Sequence, residues 1–327
     1  MGPKDLAEVL RGLPTFSDPR LISPTASPED AAVYLLDERR ALIFTTDFFT
    51  PVVDDPFLFG RIAAVNALSD VYAMGGTPSL ALNVTAFPVR KYRLLELGEI
   101  LKGAAAAATE AGCLIAGGHT IDDNEPKSGL CVIGFADRDA LLTKDGSRPG
   151  DGIFLTKPIG TGIAATAIKN DIIAPSLAEE VVASMSSLNR AASSVAVSSG
   201  LKGATDITGY GLLGHLMEMC SASGTGAEIS FDAIPFFPGT RELAEKGVVP
   251  GGTKANLSFV LPGLDMRGDL SEPELLMAAD AQTSGGLLLA VPRDKIPGLE
   301  SAMRSAGQFC REIGRFNDRS GKISLAR

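Results

Sequence analysis

The chain has 327 residues, enough for two domains of ordinary size, and its hydrophobic fraction of 45% excludes an intrinsically disordered protein. A net charge of −9 argues against a nucleic-acid-binding surface, since such surfaces carry a basic face. No apolar run reaches the length of a membrane-spanning helix and no signal peptide precedes Lys4, so we expect no membrane partner and a cytoplasmic location.

Predicted strands and helices alternate along the chain without a strict β-α-β rhythm. In the first half we predict a β-hairpin, a helix, a strand, a long helix and two strands, over residues 31–36 with 41–46, 59–74, 79–87, 92–112, 113–116 and 130–136. In the second half we predict strands at 152–156, 203–207 and 287–291, helices at 176–199, 212–220 and 274–279, and a looser segment at 234–270.

A cluster of charged, Gly and Pro residues at 144–150 indicates a domain boundary. The predicted domains are therefore an N-terminal domain at 1–147 and a C-terminal domain at 148–327. Because hairpin strands come first and the later elements alternate irregularly, we predict an α+β fold with two α/β-layered domains rather than a single doubly wound sheet.

Four aspartates stand beside or within predicted elements and form the first candidate site. Asp30 precedes the first strand, Asp47 ends the second, and Asp206 ends a later one. Asp70 lies four residues after Asn66, so both side chains share one helical face. Any one of these aspartates alone is better explained as a cap or turn residue. Together with the amide, and without His or Cys nearby, they suit a hard cation such as Mg²⁺, which commonly accompanies nucleotide phosphates.

Glycine-rich segments join predicted strands to other elements at 117–120, 160–162, 208–211 and 283–286. Such segments can present backbone N–H groups to phosphate, but they are also ordinary turns, and none matches the P-loop or the G-x-G-x-x-G fingerprint. His119 is a candidate for contact with a phosphate or a base, whereas we interpret His215 as a helix-packing residue. No Ser or Cys stands in a nucleophile motif, so the pattern indicates a cation and phosphate site without a visible nucleophile.

Several segments spread over the chain form a specific combination. They are Asp30-Ala31-Ala32-Val33-Tyr34, Thr45-Thr46-Asp47-Phe48-Phe49, Asn66-Ala67-Leu68-Ser69-Asp70, Ala116-Gly117-Gly118-His119, Leu155-Thr156-Lys157-Pro158-Ile159-Gly160, Thr205-Asp206-Ile207-Thr208-Gly209 and Gln282-Thr283-Ser284-Gly285-Gly286. The combination resembles selenophosphate synthetase, the selenide, water dikinase family. The resemblance runs from about Gly2 to the C-terminus and is weakest at 256–272. Aminoimidazole ribonucleotide synthetase and thiamine-monophosphate kinase share the Asp and Gly positions in outline.

The resemblance implies an enzyme that converts ATP, selenide and water into selenophosphate, AMP and orthophosphate. It implies that Asp30, Asp70 and Asp206 hold Mg²⁺ ions on the ATP phosphates, and that the enzyme is a homodimer whose N-terminal strands form a closed barrel at the interface. The residues that it assigns to nucleotide contacts, some of them across the dimer interface, are Ser27, Pro28, Glu29, Asp47, Asp70, Gly118, His119 and Thr120.

The N-terminus departs from the family pattern. The family carries a Gly-rich loop with a Cys or selenocysteine and, three residues later, a Lys, both needed for activity, whereas residues 1–6 resemble the segment immediately after that Lys. The resemblance therefore places the Cys or selenocysteine and the Lys before Met1, and no catalytic residue is assigned within this chain. We expect the chain as given to bind ATP with Mg²⁺ without making selenophosphate. Two alternatives stay open: a small-molecule kinase of the thiamine-monophosphate kinase type and a non-catalytic ATP-binding paralogue.

Overall fold

The computed structural model describes Val9, residues 18–22 and residues 29–327. The first part of the chain forms a mixed sheet with two helices packed on it. Its elements are β1 Ala32–Leu35, β2 Arg40–Phe49, α1 Pro56–Ala73, β3 Thr77–Ala86, α2 Leu94–Ala111, β4 Leu114–Ile121 and β5 Lys127–Asp137. The strands lie in the order β1-β2-β5-β3-β4; β3 and β4 pair in parallel, and the other neighbours pair antiparallel.

The second part forms a mixed seven-stranded sheet with helices around it. Its elements are β6 Gly152–Leu155, α3 Thr161–Lys169, α4 Pro175–Met185, α5 Arg190–Ser198, β7 Gly203–Asp206, α6 Gly211–Ser223, β8 Gly226–Ser230, α7 Thr240–Glu245, α8 Gly251–Val260, β9 Leu264–Arg267, α9 Glu272–Ala278, β10 Leu287–Val291, α10 Ile296–Ser305, β11 Arg311–Asn317 and β12 Ile323–Ala326. The strand order is β7-β10-β6-β11-β8-β12-β9. The chain is thus a two-domain α/β protein with mixed sheets, while the boundary at 147 stays a prediction.

Helix α1 is the central element of the first domain. Asp55 caps it by accepting a hydrogen bond of 2.8 Å from the backbone N–H of Leu58, and Pro56 occupies the first turn, where no N–H is needed. Helix α2 packs against α1 at very short range, because a Cβ on Gly60 or Gly103 would lie 1.9 Å from a carbonyl oxygen of the other helix. This close packing fixes the orientation of the α1 side chains that face the second domain.

The five-stranded sheet buries one face under α1 and α2 and exposes the other. In β2, Ala41 and Ile43 are buried on the helix side, whereas Phe44 and Phe48 alternate with them on the open side and are 46% and 48% exposed. Cross-strand pairing places Leu80 and Ile133 in one row with Phe44, so the open face is apolar. Strands β1 and β4 are the outer strands of the five, and residues 20–22 pair with the outer side of β1. Among the residues that the structure describes, this sheet is open rather than closed into a barrel.

The hairpin prediction is confirmed, since β1 and β2 pair antiparallel, but three predictions were wrong. The segment 117–120, expected as a loop, lies within β4 because its backbone pairs with β3. The single helix expected at 176–199 is two helices, α4 and α5, because hydrogen bonds from Lys157 and Asn189 stabilise a turn between them. The looser segment at 234–270 contains α7, α8 and β9, which are too short to give a clear periodic pattern.

No helix within residues 29–327 combines the length and hydrophobicity needed to cross a bilayer.

Candidate functional site

Helix α1 brings three polar side chains to the junction of the two domains. Asn66 donates a hydrogen bond to Asp47 on β2, and Ser69 donates one of 2.6 Å to Asp206 at the end of β7. Asp70 accepts a hydrogen bond from Thr45 on β2. Three of the four aspartates that the sequence analysis singled out therefore come from two domains but meet around one face of one helix.

The charges of these carboxylates influence one another strongly. Burial raises the pKa of Asp70 well above its usual value, and the charge of Asp206 raises it further. Burial also raises the pKa of Asp206 to about 6, with a further contribution from Asp30, and it raises the pKa of Asp47. Gathering several carboxylates in this way costs free energy unless protons or a cation offset their charge.

Asp30 joins this group from the segment before β1. Its Oδ1 accepts a hydrogen bond from Thr205 at 2.8 Å and forms an ion pair of 3.0 Å with Lys144. Its Oδ2 is buried and has no hydrogen-bond partner among the residues that the structure describes. A buried carboxylate oxygen without a partner is an available ligand for a hard cation.

Lys144 links Asp30 to two further acidic residues. Its ammonium lies 2.9 Å from Glu218, and its backbone N–H donates to Glu29 at 2.9 Å. Although burial lowers the pKa of the Lys144 ammonium, the carboxylates of Asp30 and Glu218 outweigh that effect and raise it. Burial raises the pKa of Glu29 to about 7. Glu29 is the described residue of the segment 27–29 to which the resemblance assigns nucleotide contacts, and it shares Lys144 with Asp30.

Two of the candidate site residues cannot be placed in this site. Ser27 and Pro28 lie outside the described residues, and so does Met1, before which the resemblance places the Cys or selenocysteine and the Lys. Their roles therefore stay predictions that depend on the family resemblance.

His215 on α6 extends the same network. Its Nδ1 lies 3.2 Å from Glu218 and its Nε2 lies 3.2 Å from the hydroxyl of Thr208, while its ring stacks on Tyr210. Burial opposes ionisation of Glu218, but the hydrogen bond to His215 and the charge of Lys144 lower its pKa to about 2. His215 is therefore more than the helix-packing residue that we expected, although the periodicity of α6 gave no sign of these polar contacts.

The loop before β10 closes the site from the second domain. The side-chain oxygen of Gln282 accepts hydrogen bonds from the backbone N–H groups of Gly160 and Thr161, at the start of α3. The backbone N–H of Ser284 donates to the side-chain oxygen of Asn66 at 2.8 Å. The sequence marked 283–286 as a glycine-rich segment and as part of the family resemblance, but it did not indicate what this segment contacts. This segment reaches from one domain to the α1 face of the other through a hydrogen bond between two residues that are 218 positions apart.

A cleft of about 650 Å³ opens next to this junction. Asp47, Asn66 and Gln282 line it, and Lys91 and Lys169 lie among its other lining residues. It is large enough for a small organic substrate or part of a nucleotide. Asp47 is the member of the aspartate group that lines the cleft, so this carboxylate marks where the cleft meets the buried charges.

Gly118, His119 and Thr120 form no hydrogen bond or ion pair with the aspartates in the described part of the chain. They lie on the exposed edge strand β4, where His119 pairs with Val84. Cross-strand pairing continues from Val84 through Gly129 to Phe48, so His119 and the open apolar face belong to the same sheet.

The aspartates do not form a complete metal cage by themselves. Within residues 29–327 and the short described segments before them, no three His, Cys, Asp or Glu side chains converge closely enough to hold an ion. Oxygen ligands are nevertheless the appropriate type for Mg²⁺, which is usually bound by one or two carboxylates together with substrate phosphates and water. The residues present therefore fit Mg²⁺ that arrives with a nucleotide, and Asp30 Oδ2 is the oxygen most clearly available to it.

Comparison with known proteins gives the family. The AIR synthase related protein family matches this chain with its N-terminal domain at residues 28–136 and its C-terminal domain at 148–325. A selenide, water dikinase of Carboxydothermus hydrogenoformans is 46% identical over 327 residues, covering 100% of this chain and 95% of the relative. The chain belongs to the selenide, water dikinase family. Another member, from Myxococcus xanthus, is 47% identical over 95% of this chain and 88% of its own length.

A solved structure supports the fold at greater evolutionary distance. The thiamine-monophosphate kinase of Stenotrophomonas maltophilia is 17% identical, with a TM-score of 0.68 over 98% of this chain and 94% of that protein. At this identity the likeness shows a shared fold and leaves the kinase alternative as a distant relation. The selenide, water dikinase resemblance that the sequence motifs predicted is thus confirmed by the full-length relatives.

Proposed function

We propose that this chain carries the ATP site of an enzyme that makes selenophosphate from ATP, selenide and water, with release of AMP and orthophosphate. The observation that carries the proposal is the 46% identity with a selenide, water dikinase over the whole chain. The gathering of carboxylates at the domain junction agrees with it, because a reaction on a polyphosphate needs cations to offset the charge of the phosphates.

In this proposal Asp30, Asp70 and Asp206 hold Mg²⁺ against the ATP phosphates. The bound ion would screen the phosphate charge and so make attack on phosphorus easier. Thr205, Ser69 and Thr45 each donate a hydrogen bond to one of these carboxylates and so orient it before the nucleotide binds.

The nucleotide side of the site would be formed by Asp47 and by the segment around Glu29. Asp47 lies at the cleft and is held by Asn66, and Glu29 is held by the backbone of Lys144. Ser27 and Pro28 belong to the same proposed contact, which rests for them on the family resemblance alone.

The site would be completed in a homodimer. Phe44, Phe48, Leu80 and Leu82 are each between 39% and 48% exposed in an open sheet, and apolar surface of this kind is normally covered by a partner. A second copy is the partner proposed, because it would bring Gly118, His119 and Thr120 of β4 to the nucleotide of the other subunit. The barrel that the resemblance implies would form only in this assembly.

Phosphorus NMR tests the reaction directly. ATP, Mg²⁺ and selenide are mixed with the chain alone and with a version preceded by a Gly-Cys-x-x-Lys segment of the family type. We expect a selenophosphate resonance, together with AMP and orthophosphate, from the extended version. ADP as the sole nucleotide product would favour the small-molecule kinase alternative, and ATP binding without turnover in either version would favour the non-catalytic paralogue.

A further inference from the structure

Lys157 is a buried lysine outside the carboxylate group at the domain junction. It follows β6, and its residue is 8% exposed. Its ammonium donates hydrogen bonds to the backbone carbonyl oxygens of Ser184 at 3.1 Å, Ser187 at 2.7 Å and Ser284 at 3.0 Å. No carboxylate of the described residues lies within ion-pair distance of it. Three carbonyl dipoles therefore hold this cation.

Such an arrangement is costly and specific. A buried ammonium without a counter-ion loses most of its hydration energy, and burial lowers the pKa of Lys157 to about 7 although the charge of Asp206 opposes that change. Three carbonyl oxygens that converge on one point also repel one another unless a cation lies between them. The ammonium thus fixes the relative positions of two chain segments: the turn between α4 and α5, and the loop before β10.

Hydrogen bonds of the loop before β10 connect Lys157 to Asp47. Ser284 has a φ of 51°, in the left-handed region that a residue with a side chain rarely adopts. Its carbonyl is held by Lys157, and its N–H donates to the side-chain oxygen of Asn66, whose amide nitrogen donates to Asp47. The peptide groups on both sides of this strained residue are therefore fixed by hydrogen bonds, and the last link is Asp47.

Hydrogen bonds of the turn between α4 and α5 connect Lys157 to Asp206. Two residues after Ser187, the amide nitrogen of Asn189 donates to the carbonyl of Gly285 at 2.8 Å and to the hydroxyl of Ser69 at 2.9 Å. Ser69 in turn donates to Asp206 at 2.6 Å. Both N–H groups of the Asn189 side-chain amide donate hydrogen bonds, one to Gly285 and one to Ser69, so the orientation of this amide is fixed.

We propose that Lys157 is a positioning residue that orients Asp47 and Asp206 through these two hydrogen-bond chains. The inference rests on the proposed function, in which the two carboxylates belong to the site for ATP with Mg²⁺. Removal of the ammonium frees the Ser284 peptide and the α4–α5 turn together, so the two carboxylates lose their fixed orientation without losing any direct ligand.

A separate cavity gives access to this position. It has a volume of about 670 Å³, and its lining includes Lys157, Ser184, Ser187 and Asn189. When Lys157 is shortened to alanine, propylammonium has the atoms that were removed and can reach the vacated space from this cavity. A small amine can therefore replace the missing group in solution.

Calorimetric titration of the full chain with ATP and Mg²⁺ tests the proposal. Lys157→Ala and Lys157→Met are each expected to bind about tenfold more weakly than the unchanged chain, a loss of about 1.4 kcal/mol. Propylammonium should restore affinity in Lys157→Ala but not in Lys157→Met, where the methionine fills the space. Lys295→Met is the matched control, because Lys295 also donates to a backbone carbonyl, that of Gly200, but away from the site.

A second variant separates positioning from a general effect on folding. Asn189→Ala removes the hydrogen bonds that connect the α4–α5 turn to Asp206 through Ser69, and it leaves Lys157 in place. It should therefore also weaken the binding of ATP with Mg²⁺. The loss in the double variant Lys157→Met with Asn189→Ala should be smaller than the sum of the single losses, since both act through one network. Additive losses without rescue by propylammonium would show a merely structural role and overturn the proposal.

The remaining outcomes are also decisive. If the unchanged chain fails to bind ATP with Mg²⁺, the proposed function is wrong. If it binds and both Lys157 variants bind equally well, the proposed function stands and the role of Lys157 is wrong. If the Lys157 variants fail to fold, Asn189→Ala becomes the test of the proposal. Unchanged affinity of that variant for ATP with Mg²⁺ would overturn it.

Discussion

The charges at the domain junction are organised residue by residue. Asp206 is buried and Asp70 is partly buried, and each accepts a hydrogen bond from a hydroxyl group rather than from a basic side chain. Neutral donors orient a carboxylate but leave its negative charge in place, so the site keeps its capacity to bind a cation. Asp30 differs, because Lys144 offsets part of its charge while its second oxygen stays available.

Negative charge is what these carboxylates contribute to the proposed site. Asp70→Asn and Asp206→Asn keep the shape of the side chain and remove its charge, so each should weaken Mg²⁺-dependent ATP binding at least about tenfold while the fold is retained. Calorimetry with and without Mg²⁺ measures the effect, and circular dichroism checks the fold. Asp265→Asn, at an exposed position on β9, is the control. Unchanged affinity in both site variants would remove these residues from the site.

At the scale of the element, α1 and α2 depend on two glycines for their contact. A Cβ on Gly60 would overlap the carbonyl of Ile100, and a Cβ on Gly103 would overlap the carbonyl of Phe57, each at 1.9 Å. Because backbone atoms cannot yield as a flexible side chain can, any larger residue must push the helices apart. A displaced α1 would carry its site residues with it.

We therefore predict that replacement by alanine destabilises the protein at two glycines and stabilises it at a third. Gly60→Ala and Gly103→Ala should each destabilise the protein by about 2–3 kcal/mol through overpacking. Gly98→Ala, on the same helix α2 but with no atom within 4 Å of the new Cβ, should stabilise it by about 0.5–1 kcal/mol through better helix propensity. Urea unfolding followed by circular dichroism gives the order of the variants, and equal stabilities for Gly98→Ala and Gly103→Ala would contradict the helix-contact argument.

The start of α9 depends on one buried carboxylate. Glu274 closes a capping box with Ser271 and accepts hydrogen bonds from Arg241 at 2.7 Å and from Arg327 at 2.7 Å. The bond from Arg241 is the largest of the effects that lower the pKa of Glu274 to about 2 from an ordinary 4.5. A carboxyl group with a lowered pKa in the folded state stabilises the fold above its unfolded pKa, and this stabilisation is lost as the pH falls.

Glu274→Gln should therefore lower the free energy of unfolding by about 1–3 kcal/mol at pH 7, because charge-assisted hydrogen bonds are replaced by neutral ones. The difference from the unchanged protein should persist down to about pH 4.5 and shrink between pH 4.5 and 2. Unfolding measured over this pH range tests the sign. Glu272→Gln, an exposed neighbour in the same helical turn, serves as the control and should change stability little.

At the scale of the whole molecule, the open face of the first sheet is the feature that one chain leaves incomplete. Paired residues on that face, such as Phe44, Ile133 and Leu80, form an apolar surface on a sheet that ends at the edge strand β4. Exposed apolar surface on a sheet that ends at the exposed strand β4 favours association. The proposed homodimer covers it and places β4 beside a second site.

Sedimentation at micromolar concentration should accordingly give a species near twice the chain mass of 34.0 kDa. Phe44→Glu introduces a charge on the open face and should shift the protein to monomer, with loss of the ATP contacts proposed for His119. Phe259→Glu, at a similarly exposed position on α8, should leave the dimer intact. A monomer in the unchanged protein would exclude the proposed assembly.

Motifs in the sequence were sufficient for the family. They also predicted two α/β-layered domains, and they singled out aspartates that the structure brings close together. Asp47 lies near the end of a strand, and Asn66 and Asp70 share a helical face because of helical spacing alone. The same local patterns failed for 176–199, where no breaker residue interrupts the helical run and the turn is stabilised by hydrogen bonds from Lys157 and Asn189.

Which groups meet depends on the folded chain. Lys144 with Asp30, Lys157 with Ser284, and Asn189 with Ser69 are pairs separated by more than 100 positions, and no sequence period relates them. A buried lysine is chemically indistinguishable in the sequence from a solvated one, because burial and hydrogen-bond partners are properties of the packed chain. The assignment of charges and positioning groups around the aspartates therefore required the tertiary structure.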